Sequence, residues 1–174
     1  MRKTLNAGIA AALLLACAGL APPAFAADTM TTITSLADAE NQRINDLLQA
    51  YTRCVSQGDR AGFERLLLDT SIPFLGVRGS LPANFGQGLA AVQGYAGFRQ
   101  SVFESGRKYA QRFYDIHIER DGDLAQASLK FETRLVEQGG GGQGWKILHL
   151  LKVGGDWRIA SEFYTVDSLP IEKS

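Results

Sequence analysis

The sequence predicts an α+β domain, with helices first and an antiparallel sheet last. Three observations carry this. Between about 113 and 166 the chain runs through four strand-like segments, FYDIHIER, LAQASLKFETRLVE, GWKILHLLKV and DWRIASEFYTV. Short glycine-containing turns join them: Asp121-Gly122-Asp123, the run 139–144, and Gly154-Gly155. The stretch before them, about 36–111, reads mostly as helix and never alternates strand with helix, which excludes a βαβ pattern.

The N-terminus reads as a processing signal. Arg2 and Lys3 precede an apolar run over 7–21, and Ala24-Phe25-Ala26 fits a small-x-small cleavage site. The run is short for a bilayer span and Pro22-Pro23 closes it, so no transmembrane segment is expected. Leu14-Leu15-Ala16-Cys17 is the alternative: a lipoprotein box that would leave the protein anchored at Cys17. Cleavage after Ala26 implies a periplasmic or secreted protein. It leaves a flexible polar leader over 27–35, one domain over 36–167 and a short tail over 168–174. Removal of Arg2 and Lys3 from 18 basic and 18 acidic side chains leaves a formal charge of −2. Lys and Arg form no cluster, so nucleic-acid binding is not expected. Cleavage also leaves Cys54 as the single cysteine, a small buried hydrophobe in a helical pattern rather than half of a disulfide.

The elements follow in order. A first helix over 36–57 carries Ile44, Leu47, Leu48, Tyr51, Cys54 and Val55 at helical spacing and stops at Gly58. Asp59 caps a second helix, with Phe63, Leu66 and Leu67 on one face, which ends near 69–70. Residues 72–77 (IPFLGV) read as a short edge strand because of Pro73. A Gly/Pro/Asn-rich loop over 78–90 leads to a third helix over about 91–105. Alternation then assigns the strand faces. Trp145, Ile147, His149, Leu151 and Val153 fall on one face of the third long strand, and Lys146, Leu148, Leu150 and Lys152 on the other. Trp157, Ile159, Ser161 and Phe163 share a face of the last strand, opposite Glu162, Tyr164 and Val166. The more apolar faces are expected to meet the helices. The mixed faces, with Leu148, Leu150, Tyr164 and Val166, offer a surface for homodimerisation.

This layout resembles the nuclear transport factor 2-like superfamily. The joint QAYTRCVSQGDRAGFERLL resembles the family's first-helix, Gly-Asp, second-helix corner, and HLLKVGGDWRIASEFY its closing hairpin. The resemblance covers about 40–167 and is nearest to exported polyketide-cyclase-like and lumazine-binding-like members. It implies a conical, curved antiparallel sheet wrapped around three N-terminal helices, a cystatin-like roll with a pocket at one end. Set against the ketosteroid isomerases of that superfamily, Tyr51 matches their helix tyrosine. Their base falls on Leu75 and their late-strand acid on Leu148, and a leucine can neither move a proton nor donate a hydrogen bond. That activity is therefore not expected.

His149, placed between Ile147 and Leu151, is the polar residue of most interest: a core histidine or a ligand-orienting base. With Tyr51 it is the candidate catalytic pair. Tyr51, Tyr95, Phe98, Phe131, His149, Trp157 and Phe163 are the candidate pocket lining. Asp115, His117 and Glu119 share a strand face but read as its solvated side, so no metal is expected. The glycine run 139–144 lacks the Lys-Ser/Thr and following helix of a phosphate loop and reads as a flexible hairpin loop. No cofactor is implied. The expected function is non-catalytic binding of a small apolar molecule in the cone. The alternatives are an interaction module that dimerises through the outer sheet face, and a cyclase-, dehydratase- or isomerase-type enzyme that uses His149 and Tyr51.

Overall fold

The structure is a computed structural model that describes residues 25–79, 94–137 and 139–170. The expected signal region before Phe25, Cys17 and most of the loop 78–90 lie outside the described residues. Residues from Ala37 onward form one compact unit, which contains the sheet and the site.

Helix α1 spans Phe25–Gln57. It thus begins before the expected 36, and the backbone of 27–35, read above as a leader, is helical. Once a helix is nucleated, each added residue costs little. Its buried stripe is Ile44, Leu47, Leu48, Tyr51, Cys54 and Val55. At Gly58 (φ 69) the chain turns left-handed, with Gly58 N–H donating to Val55 O and Asp59 N–H to Cys54 O. This is the double hydrogen bond of a Schellman cap, and glycine adopts the required φ without penalty. Asp59 then caps α2 (Arg60–Glu64) by accepting from Gly62 N–H at 2.8 Å. α2 is shorter than expected because the backbone after it turns to the sheet: Leu68 N–H donates to Ile159 O, and Ile159 N–H to Leu66 O. Strand β1 (Phe74–Val77) and helix α3 (Tyr95–Val102) follow.

The sheet contains β2 (Tyr109–Asp121), β3 (Leu124–Leu135), β4 (Gly141–Val153) and β5 (Asp156–Thr165), in the order β1-β5-β4-β3-β2. The β2–β5 pairings are antiparallel. β1 lies at the edge, parallel to β5. A short β6 (Asp167–Leu169) pairs with the start of β4, in what was expected to be a tail. The fold is mixed α+β around a curved, unclosed six-stranded sheet.

Two expectations are corrected. The glycine run is not a loop, since Gly141–Gly144 are strand residues paired with Arg134–Phe131. A Cβ on Gly144 would lie 1.9 Å from Thr165 O, so glycine here permits a close backbone approach rather than a turn. The faces of β4 are also reversed. Lys146, Leu148 and Leu150 are buried against the helices, while Trp145 is half exposed. In β5 the expected faces hold for one half and fail for the other. His149 pairs with Ser161 but Leu150 with Ile159, so Ala160 is an unpaired extra residue, a β-bulge. Trp157 and Ile159 before it, and Glu162 and Tyr164 after it, therefore share the inner face. The surface proposed for dimerisation around Leu150 and Tyr164 is thus interior.

Candidate functional site

The inner face of β4 and β5 sets Lys146 opposite Tyr164 and Leu148 opposite Glu162. Helix α1 lays Tyr51 across them. Lys146 Nζ lies 2.6 Å from Glu162 Oε1 and donates to Tyr51 Oη at 2.7 Å, and Tyr51 O–H donates to Glu162 Oε1 at 2.9 Å. The three groups close a ring with 2% or less of each residue exposed. Four aromatic rings surround the ammonium. Its Nζ is 4.4 Å from the Tyr51 centroid, 5.1 Å from Phe131, 5.2 Å from Tyr164 and 5.3 Å from Phe113. Ring faces attract a cation and partly replace lost water.

Burial pushes Lys146 below the ordinary lysine range, opposed by the attraction of Glu162. Burial likewise pushes Glu162 above the ordinary carboxylate range, opposed by Lys146 and Tyr51. Tyr51 is raised well above its usual value by burial and then by the neighbouring Glu162. Glu162 Oε2 is buried with no hydrogen-bond partner among the described residues. Such an atom carries a desolvation cost that a single donor would relieve.

Lys146 also lines a cleft of about 530 Å³ between α3, β1 and the ends of β2–β5. Its apolar wall includes Phe74, Phe98, Val102, Phe131, Tyr164 and Val166. Burial, and then Glu162, push Tyr164 up to about 12. Gln111 and Thr133 give the wall polarity, with Gln111 Nε2 donating to Thr133 Oγ1 at 2.8 Å. Arg78 and Arg107 also line the cleft. Apolar walls with few polar groups suit a small organic ligand. The Lys–Tyr–Glu ring adds three groups able to pass protons among themselves. A smaller hollow of about 370 Å³, beside Gln42, Asn45 and Thr52, contains no titratable side chain. Among the described residues no three His, Cys, Asp or Glu side chains cluster as a metal site would require, and no helix is long and apolar enough to cross a membrane.

The structure brings together Tyr51, Phe98 and Phe131 of the residues singled out in the sequence. It does not bring His149 to them. His149 lies on the outer face, its Nδ1 2.7 Å from Ser161 Oγ, because Leu148 and Leu150 on either side point inward. Phe163 is also outward and 39% exposed. Trp157 is buried, yet its Nε1–H donates to Glu40 at 2.9 Å, away from the cleft. Tyr95 is core, with its hydroxyl donating to Glu64 at 3.1 Å. The sequence reading missed Lys146 and Glu162. Its one available signal was that both share their strand face with residues suited to a core: Leu148 and Leu150 in β4, and Tyr164 in β5 with Val166 just beyond it.

No protein-family model matches the sequence, and no curated protein does. Solved structures do match in shape. A single-residue variant of a protein of unknown function from Mycobacterium tuberculosis aligns with a TM-score of 0.59 at 19% identity, over 77% of this chain and 75% of that one. A presumed dehydratase of the NTF2-like family from Streptomyces avermitilis aligns at 0.59 and 12% identity, over 74% and 96%. A presumed scytalone dehydratase from Novosphingobium aromaticivorans aligns at 0.58 and 14% identity, over 81% and 93%. Similarity at such identities shows the fold and not the activity.

Proposed function

We propose that this chain, whose fold is that of the nuclear transport factor 2-like superfamily, binds a small, largely apolar molecule in the cleft above Lys146. The observation that carries the reading is the cleft of about 530 Å³ itself. It is walled by Phe74, Phe98, Phe131 and Tyr164 and has a buried ammonium at its inner end. Aromatic walls supply affinity by area, and the few polar groups supply orientation. The N-terminal signal supports a setting outside the cytoplasm, periplasmic or secreted, where such a protein would carry or sequester its ligand.

The test is a titration with N-phenyl-1-naphthylamine, an uncharged apolar fluorophore. Saturable binding at one site per chain is expected. Val102→Trp, which places an indole in the cleft, should weaken it at least about tenfold with the melting temperature little changed. Failure of this probe and a panel of small apolar molecules to saturate would sink the reading.

A second reading, an enzyme, is favoured by one specific observation, the contact of three titratable groups of which one, Lys146, lines the cleft. Proton transfer needs groups in mutual hydrogen-bond reach, and Tyr51, Lys146 and Glu162 meet that condition where Tyr51 and His149 do not. Two of the similar structures are named as presumed dehydratases, in keeping with such chemistry. Deuterium uptake next to the carbonyl of cyclic ketones in D2O, faster with wild type than with Tyr51→Phe, would support it. Equal rates would leave binding alone.

A further inference from the structure

We propose that the cleft selects anions, and that its ligand is an apolar molecule ending in a carboxylate held at the rim by Arg78 and Arg107. This rests on the reading of the cleft as a ligand site. Among the described residues that line it, three are basic (Arg78, Arg107 and Lys146) and none is acidic. Lys146 is balanced by Glu162, so the two arginines carry the uncompensated charge.

The bias belongs to this cleft rather than to the chain. The full sequence has 18 basic and 18 acidic side chains. Of three other hollows among the described residues, two lack such an excess and one, with three arginines to one aspartate, has a basic excess of its own. One contains Arg53, Arg65 and Arg158 with Asp59, another contains Arg43 and Arg158 with Asp46 and Asp156, and the hollow beside Gln42 has no charge. Some arginines elsewhere are paired: Arg60 and Arg99 share Glu104, and Arg112 and Arg134 share Glu132. Arg78 and Arg107 have no carboxylate partner among the described residues, and the sequence from 80 to 93 contains neither Asp nor Glu.

Arg78 Nη1 donates to Ser168 Oγ at 2.9 Å. A hydroxyl acceptor orients the guanidinium without neutralising it, and the remaining N–H groups keep the fork that matches a carboxylate. Both arginines are exposed, so their charges are not forced to pair by burial. A low-dielectric wall on one side of each charge concentrates its field in the cleft. The geometry therefore puts the apolar body of the ligand among Phe74, Phe98 and Phe131 and its charged end outward.

Three probes of one size separate the possibilities: naphthalene-2-carboxylate, its methyl ester and 2-naphthylmethylamine. Each competes with the bound uncharged fluorophore on the full-length mature protein. The expected order is carboxylate, ester, amine, with the carboxylate at least about tenfold tighter than the ester at low salt and the gap narrowing as salt rises. Arg78→Gln/Arg107→Gln should remove the gap and leave ester affinity within about twofold. Both positions are exposed, so this variant keeps the fold, and its unchanged melting temperature is the control. Equal binding of carboxylate and ester by wild type overturns the anion proposal and leaves the cleft a ligand site. Binding of none of the three, with no saturable fluorophore binding, overturns both.

Discussion

Two carboxylates on opposite faces of one sheet occupy similar settings and behave in opposite ways. Glu162 faces inward and contacts Lys146 and Tyr51, with 0% of its side chain exposed. Glu132 faces outward and contacts Arg112 at 2.6 Å and Arg134 at 2.5 Å, with 10% exposed. The partners differ more: Arg112 is 69% exposed and Lys146 2%. The hydrogen bonds from Arg112 and Arg134 hold Glu132 below the ordinary carboxylate range. Burial raises Glu162 above it despite its partners. Two donors on a carboxylate thus do not fix its chemistry. Whether those donors keep their own water decides which way the proton equilibrium moves.

The sharpest way to break the comparison is to remove one partner from each site. Lys146→Met should cost about 3–5 kcal/mol, because it strands a buried charge, and urea unfolding measures it. Lys146→Met/Glu162→Met should recover most of that loss, since a buried pair replaced by apolar groups is often neutral. A single-variant cost near zero would mean that the pair is not closed as described. Tyr51→Phe, which leaves Glu162 with one donor fewer, should cost about 1–3 kcal/mol.

The pH response follows in size and carries the sign. Glu132 has a depressed folded value, so its contribution is present above the ordinary carboxylate pKa of about 4.3 and is lost as pH falls through the folded value. Glu132→Gln should flatten that part of the acid limb. Glu162 has a raised folded value, so its charged form is the unfavourable one and stability is lost as pH rises through that value. The penalty of Lys146→Met should therefore shrink between pH 7.5 and pH 5, followed as melting temperature against wild type. A penalty that grows on acidification would contradict the assignment. Smallest of all, Arg112→Ala at the exposed site should change stability by less than about 1 kcal/mol and less still in high salt.

Much of this architecture was legible before the structure. The helical stripe from Ile44 to Val55, the Gly58 stop, the Asp59 cap and the four-strand order all rest on local rules that tertiary packing did not override. Phe98, Phe131 and Tyr51 were legible as interior aromatics for the same reason. The identity of the inner sheet face was not. Alternation assumes an unbroken period of two, and the extra residue at Ala160 breaks it between the two halves of β5. Lys146 compounded the error, because a lysine on a strand normally marks the solvent side. Nothing local to Lys146 announces a carboxylate 16 positions later and a tyrosine on a distant helix. The glycine run was misread because its small side chains answer to a neighbouring backbone, which a linear pattern does not display.

The bulge at Ala160 also bears on how such proteins diverge. Point substitutions alter one side chain of the cleft at a time. If the strand kept Ala160 but lost the bulge, alternation from Ile159 would turn everything from Ser161 to Thr165 over, placing Ser161 and Phe163 inside and Glu162 and Tyr164 in water. Regular pairing in place of the bulge would thus replace an acidic interior by a hydroxylated, aromatic one without changing any letter, whereas deletion of Ala160 would keep Glu162 and Tyr164 inside. Among descendants of this fold, pairing register in this hairpin is heritable information about interior chemistry. Ungapped alignments of a bulged strand with a regular one will pair residues that never occupied the same side of the sheet.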